Sequence, residues 1–327
     1  MLAAIVAASI FEIDIMQLSK KLCEKFSLTP LKLSMLSTKA PKKYRVYYIP
    51  KRTSGFRAIA QPTKELKEIQ RFLVSELEPI LPIHSSAMAY RCGISIKNNA
   101  EKHKNNSFIL KMDFQNFFNK IKPGIFFEKF DNLDIQCNSH DRYLLHNFLF
   151  WKPGQKRSVT HILSVGAPSS PFISNFVMFD FDSAISEWCA KFDIVYTRYA
   201  DDITFSTSRK GILFSVPKIV KNMLAEYASG ITLNEAKTIF TSKAHNRHVT
   251  GVTITTDGKL SIGRKKKKYL YSLIFKYTKG ELTNEEILYA KGLMAYCIHI
   301  ERNIITRLKK KYGAEVINQF LKETGDE

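Results

Sequence analysis

Apolar and polar positions along this chain repeat with two different periods, and each marks a different kind of element. In Asp193-Ile-Val-Tyr-Thr-Arg-Tyr-Ala-Asp-Asp-Ile-Thr-Phe-Ser206, β-branched and aromatic residues (Ile194, Val195, Tyr196, Thr197; Ile203, Thr204, Phe205) flank a polar centre. That pattern predicts a hairpin with Asp201 and Asp202 at its tip. Ser107 to Phe114 reads as a largely buried strand ending in Asp113. Tyr44 to Ile49 and Phe56 to Ala60 predict a hairpin closed by the basic turn Pro50 to Gly55, with Lys51, Arg52 and Arg57 around its tip. Gly230 to Ile239 reads as a strand with a polar end. Val249 to Ile254 and Lys259 to Ile262 read as a hairpin across Asp257-Gly258.

Helical spacing fills the intervals. Leu18, Leu22 and Phe26 mark a helix that stops at Ser27-Leu-Thr-Pro30, followed by a short one through Met35 and Leu36. Thr63 is the expected N-cap of a helix carrying Leu66, Ile69, Gln70, Leu73 and Leu77, ended by Pro79 and Pro82. Tyr90 to His103 reads as a polar loop and a short helix, 125 to 150 as a helical region, and Trp151 to Arg157 as a basic loop. Leu163 to Phe176 combines a Gly/Pro/Ser loop with the start of a helix reaching about Lys191. Small residues there allow close backbone approach by a nucleotide, and a helix N-terminus favours anions. Residues 216 to 229 are expected to be helical, as is most of the chain from Gly263 to about 323.

Composition adds a partner to this outline. The 327 residues are 45% apolar and 24% charged, as in a globular protein with a sizeable core. Lys and Arg number 50 against 30 Asp and Glu, a formal charge of +20 that favours a polyanion through counterion release. Arg264-Lys-Lys-Lys-Lys268 concentrates part of it; such a run is usually a solvated face, and at this overall charge it reads as a nucleic-acid clamp. No apolar run approaches 18 residues and no single basic amphipathic helix carries the charge, so a membrane partner is not expected. Met1 to Phe11 is short, lacks a basic leader and runs into Glu12, so it reads as the start of a packed helix rather than a secretory signal. Cys23, Cys92, Cys137, Cys189 and Cys297 are odd in number and form no Cys-x-x-Cys pair, which points to reduced thiols and a cytoplasmic location.

Adjacent acids at a hairpin tip repel each other, and Asp is depleted in strands, so Asp201-Asp202 makes best sense around a cation. A hard divalent ion such as Mg²⁺ prefers carboxylate and phosphate oxygens. Asp113, at the end of its own hydrophobic strand, supplies a third carboxylate; the other reading of it is a buried, salt-bridged Asp.

In this order the pieces resemble the reverse transcriptases, and among them the bacterial retron enzymes, from about residue 44 to 310. Tyr199-Ala-Asp-Asp202, preceded by Tyr196-Thr-Arg198, resembles the Tyr-x-Asp-Asp box. Met112-Asp113-Phe114 with Phe117-Phe118 resembles the first catalytic-aspartate motif, and Gly166-Ala-Pro-Ser-Ser-Pro171 the loop beside template and incoming nucleotide. Val165 stands where that loop usually begins with Gln. Asn99-Ala-Glu-Lys-His103 is similar to the retron Asn-Ala-x-x-His element, and Val249-Thr-Gly251 to the Val-Thr-Gly element tied to recognition of the cognate RNA.

The resemblance implies an α+β right-hand polymerase: fingers over 1–106 with an N-terminal helical segment, palm over 107–260 with fingers elements within about 115–160, and a helical basic thumb over 261–327. It implies two Mg²⁺ ions on Asp113, Asp201 and Asp202, with Lys237 as a charge neutraliser or proton donor near the pyrophosphate. It places Arg57, Phe118, Gly166, Ala167 and Pro168 at the nucleotide, Phe118 as a steric gate under the sugar. Asn99, His103, Val249, Thr250, Gly251, Arg264, Lys265 and Lys266 are then the expected RNA contacts. The implied partners are dNTPs, a cognate structured non-coding RNA, the branched RNA-DNA product msDNA primed from a guanosine 2′-OH, and a separately encoded effector in anti-phage defence. Three alternatives are weighed on sequence: a bacterial reverse transcriptase of group II intron type using a 3′-OH primer, a non-catalytic RNA-binding palm protein, and, least favoured because it leaves the nucleotide-binding loops without a purpose, a two-metal nuclease.

Overall fold

A computed structural model describes residues 17–50, 55–133, 135–154 and 160–322. The helix expected at Met1 to Phe11, Lys51 and Arg52 of the basic turn, and Gln155 to Arg157 of the basic loop lie outside them. Helix α1 (Leu18–Phe26) ends where Ser27 turns left-handed, and α2 (Pro30–Lys39) starts with Thr29 capping the Lys32 amide and Pro30 in the first turn. Strands β1 (Tyr44–Pro50) and β2 (Phe56–Pro62) pair as a hairpin. Helix α3 (Lys64–Leu77) buries Leu66, Ile69, Gln70, Leu73 and Leu77, the face its spacing announces, while Thr63 takes the N-cap position without a side-chain cap bond. Each buried Leu or Ile contributes about 1.5–3 kcal/mol.

Helix α4 (Ile96–His103), capped reciprocally by Ser95 and Asn98, leads to β3 (Phe108–Asp113). The helical region expected over 125–150 divides in two. After one turn, α5 (Phe117–Lys120), come α6 (Pro123–Asp131) and α7 (Ser139–Leu149), the latter restarted by Asn138 accepting from the Asp141 amide. Helices α8 (Ser170–Val177) and α9 (Phe179–Lys191) precede the hairpin of β4 (Val195–Tyr199) and β5 (Asp202–Thr207).

Past α10 (Val216–Tyr227), the structure corrects two expectations. The strand predicted over Gly230 to Ile239 begins only at its last residue: β6 is Ile239–Ser242, and Glu235–Lys237 form a 3-10 turn. The Asn234 amide donates to the Asp113 carbonyl and the Gln115 amide to the Thr232 carbonyl, so Leu233 makes a single antiparallel bridge with Phe114 before the 3-10 turn interrupts the pairing. Val249 to Ile254 is two strands. β7 (Arg247–Val249) reverses at Thr250-Gly251, both at positive φ (47° and 81°), into β8 (Val252–Ile254), which β9 (Leu260–Ser261) joins. Helices α11 (Arg264–Thr278), α12 (Asn284–Ile300), α13 (Asn303–Tyr312) and α14 (Ala314–Lys322) follow.

Among the described residues the strands form three antiparallel sheets: the β1-β2 hairpin, a central sheet in the order β4-β5-β3-β6, and β7-β8-β9. This is the α+β architecture expected. One apolar core joins residues from Leu18 to Ile231, packing the early helices and α6 to α10 on the central sheet. A second joins Ala100 and Ile109 to Val249, Val252 and Ile254 and to the C-terminal helices as far as Phe320. The small β7-β9 sheet therefore packs with the helices that follow it. Among the described residues no helix is long and apolar enough to cross a membrane.

Candidate active site

The central sheet gathers the three acids. Asp113 ends β3 directly opposite Asp202, which opens β5. The Asp201 carbonyl accepts from the Phe114 amide at 3.0 Å, so the turn is sewn to the strand beyond the last pair. Ala200 takes a left-handed φ of 58° to make that turn. One carboxylate oxygen from each of Asp113, Asp201 and Asp202 lies within 4.8 Å of the others.

Burial and mutual repulsion shape their electrostatics. Asp201 is raised above the ordinary carboxylate range by burial and then by Asp113, with Lys237 and Arg57 pulling it back. Asp202 is raised to about 6 by desolvation, Asp201 and Asp113. Asp202 is an exposed residue, yet its carboxyl stands over the sheet with two like charges facing it, and both effects push the same way. Three crowded hard-oxygen donors whose ionised forms repel are the chemistry that a divalent cation relieves, so the residues present fit the ions expected of them.

Lys237 answers part of that charge directly. Its Nζ lies 2.8 Å from Asp113 Oδ1, carried there by the 3-10 turn and not by a strand. Arg57 is exposed on β2, within electrostatic range of Asp201 and Tyr90. Phe118, half-buried, faces a cavity of about 360 Å³ lined also by Lys67, Arg71, Tyr90 and the Val165 to Pro168 loop. That loop is stitched to the β1-β2 hairpin: the Ala60 amide donates to the Val165 carbonyl at 3.0 Å, and the Ser164 hydroxyl donates to the Ala60 carbonyl. Gly166, at φ 123°, lies so close that a Cβ there would meet the Ala60 carbonyl oxygen and Ile59 Cγ2 at 3.1 Å.

The elements expected to touch RNA divide. Arg264, Lys265, Lys266 and Gly251 are exposed, and Thr250 is half-buried at its turn. Asn99, His103 and Val249 are 1%, 0% and 0% exposed and lie inside the fold. Asn99 Nδ2 donates to Thr250 Oγ1, and both ring nitrogens of His103 are engaged inside the fold.

Other residues of the site were not singled out from sequence. Tyr90, at φ 61°, sets its ring 6.4 Å from Phe118, and its hydroxyl is raised in pKa by burial and by Asp201. Lys111 shares the face of β3 with Asp113, two residues on, and its Nζ lies 2.9 Å from His248 Nε2; the period of two along the strand would have found it. Behind the turn, the fully buried Arg198 donates twice to the fully buried Asp182, at 2.9 and 2.6 Å, and to Asn175 Oδ1 and the Ala200 carbonyl. Tyr196 also donates to Asp182, at 2.7 Å.

Comparison with known proteins agrees with this geometry. Residues 49–254 match the family described as reverse transcriptase (RNA-dependent DNA polymerase). The chain is 44% identical to the retron Ec83 reverse transcriptase of Escherichia coli, over 88% of this chain and 93% of that one. It is 29% identical to the retron Ec86 reverse transcriptase of Escherichia coli, over 88% of each. Among solved structures, apo telomerase from Candida tropicalis superposes with a TM-score of 0.50 at 13% identity, over 85% of this chain; the chain spans 60% of that telomerase, and the likeness is one of fold. With three carboxylates converging on one sheet, a family match over most of its length and retron enzymes as homologues, the chain belongs to the reverse transcriptases and is an RNA-directed DNA polymerase.

Proposed function

We propose that this enzyme binds a structured non-coding RNA encoded with it and copies part of that RNA from a guanosine 2′-OH, giving branched RNA-DNA (msDNA). The observation that carries the proposal is the identity of 44% to a retron reverse transcriptase along nearly the whole of both chains. Fingers over 1–106, palm over 107–260 and thumb over 261–327 are the domain division that goes with it. The product acts with a separately encoded effector in anti-phage defence, in the cytoplasm.

Asp113, Asp201 and Asp202 would hold two Mg²⁺ ions; when bound, these supply activation of the attacking hydroxyl and neutralisation of the triphosphate. The chain's own groups do the rest. Phe118 lies under the sugar and excludes a 2′-OH, with Gly166, Ala167 and Pro168 beside the base and Arg57 on the triphosphate. Lys237, whose Nζ lies 2.8 Å from Asp113 Oδ1, would neutralise charge there or give its Nζ proton to the departing pyrophosphate. Lys111 and His248, on the carboxylate face, and Thr250, Gly251, Arg264, Lys265 and Lys266 line the path of the nucleic acid.

The test is to isolate the nucleic acid that copurifies with the protein expressed from its own locus. A branched molecule, shortened by ribonuclease and lost with Asp201→Asn/Asp202→Asn, is expected. Linear DNA made from a 3′-OH primer would overturn the branched-priming proposal, and full activity of the double variant would overturn the assignment of the carboxylates.

A further inference from the structure

Helix α4 touches three parts of the molecule through polar contacts that the polymerase chemistry does not use. At its C-terminal end, His103 is fully buried, with Nδ1 2.7 Å from Ser206 Oγ on β5 and Nε2 2.7 Å from Thr197 Oγ1 on β4. Just beyond, Asn106 Nδ2 donates to the same Ser206 hydroxyl at 2.8 Å, and the Asn106 carbonyl accepts from the buried Arg247 of β7. In its middle, Asn99 donates to Thr250 Oγ1, which in turn donates to the Ile96 carbonyl at 3.3 Å. At its N-terminal end, Ser95 Oγ lies 3.2 Å from His299 Nε2, and Lys97 Nζ donates to the His299 carbonyl at 2.9 Å, both on α12.

The two strands that His103 bridges are the arms of the catalytic hairpin. Thr197 lies four residues before Asp201 and Ser206 four residues after Asp202. Ser206 shares the face of β5 that Asp202 and Thr204 occupy, and Thr204 pairs with Thr197. An imidazole is a rigid ring with two nitrogens at fixed separation, and the neutral form donates from one and accepts at the other. Hydroxyls on both sides suit either tautomer, so the ring braces the hairpin without needing a charge.

We infer that His103 is a positioning residue of the polymerase site: with α4 it sets the twist of the catalytic hairpin, and so the placement of Asp201 and Asp202 against Asp113, relative to the β7-β9 sheet and the C-terminal helices. In this assignment Asn99 and His103 act through the protein's interior, and Thr250 is the far attachment of the same strut. Misplacement of a reacting group by about 1 Å can cost 10²-fold in rate, so the strut has leverage on chemistry without touching substrate.

The experiment uses the full chain on a supplied primed RNA template, so it stands apart from the question of branched priming. The single-turnover rate of dNTP incorporation, the KM for dNTP, the Kd for the template-primer and the thermal midpoint are measured together. His103→Leu is expected to lower the rate at saturating dNTP and template by about 10–100-fold while KM and Kd stay within about twofold. His103→Gln, which keeps a donor and an acceptor, should recover most of that loss. Thr197→Val with Ser206→Ala removes the partners without changing volume much and covers the case in which His103→Leu fails to fold; it should reproduce the fall in rate. A fall in template affinity with an unchanged saturated rate would overturn the proposal in favour of RNA recognition by this element. Wild-type rates in the Thr197→Val/Ser206→Ala enzyme would overturn it as well.

Discussion

Exchanging Asp182 for Asn tests how the turn that carries Asp201 is held from behind. Asp182 and Arg198 are both 0% exposed, joined by Nη2 to Oδ2 at 2.6 Å and by Nε to Oδ1 at 2.9 Å. Arg198 continues to Asn175 and to the carbonyl of Ala200, the left-handed residue before the catalytic acids, while its backbone bonds to Ser86 and Met88 on the other side. Asp182→Asn leaves the guanidinium buried without its counter-charge, which costs about 3–5 kcal/mol. A chain of this size loses roughly 2 °C of midpoint per kcal/mol, so thermal unfolding followed by circular dichroism should shift down by about 6–10 °C. Replacing both partners, Arg198→Met with Asp182→Leu, removes both desolvation penalties and should recover part of the midpoint, short of wild type because the buried Tyr196 hydroxyl and Asn175 Oδ1 then lack those partners. Its incorporation rate should stay low, because the Ala200 carbonyl has lost its donor. A loss in Asp182→Asn below about 1 kcal/mol, the range of an exposed pair, would refute the reasoning.

The remaining predictions concern the strut, the loop and the gate. Burial lowers the pKa of His103 to about 3 from an ordinary 6.5. The unfolded chain therefore takes up a proton that the folded one refuses: the stabilising effect is complete above about pH 6.5 and is lost as pH falls toward 3, by up to about 4 kcal/mol. Midpoints measured from pH 7 to 4 should fall less steeply in His103→Gln than in wild type; equal slopes would remove His103 as the cause. Gly166→Ala places a methyl 3.1 Å from the Ala60 carbonyl at a φ of 123°; it should cost about 1–3 kcal/mol and raise the KM for dNTP, and an unaltered enzyme would show that the loop does not need this close approach. Phe118→Ala should let the enzyme incorporate rNTPs, measured by competition against dNTPs; unchanged discrimination would point to Tyr90, its neighbour at 6.4 Å, as the gate.

The carboxylate site was legible because its parts are short motifs on strongly patterned strands. Asp113 ends a hydrophobic run, and Asp201-Asp202 interrupt two others, so strand and tip follow from residue type alone. The interior contacts were not legible. On α4 the spacing from Asn99 to His103 puts both on one face, but nothing local says whether that face meets RNA or Thr197 and Ser206, about a hundred positions away. The strand expected from Gly230 is broken locally: the 3-10 turn at Glu235–Lys237 interrupts its pairing with β3 between the bridge at Leu233 and the strand that begins at Ile239. Glu235-Ala-Lys237 are good helix formers, a hint toward the turn that the apolar pattern concealed. Tyr90 had no periodic signal at all, sitting in a loop whose geometry depends on its own left-handed backbone.

The pairing of Asp113 with Asp202 has a consequence for how this enzyme tolerates insertion and deletion. Adding or removing one residue in β3 or β5 would turn every buried side chain of that strand toward the opposite face. The nearest arrangement that keeps the apolar faces covered is a slip of two residues, about 7 Å along the strand. That exceeds the 4.8 Å across which the three carboxylates gather. A chain that folded in the neighbouring frame would look nearly native by helix content and compactness yet hold no ion cluster, so misfolded molecules of this kind should be soluble, stable and silent, and a preparation's specific activity would count the fraction of chains folded in frame.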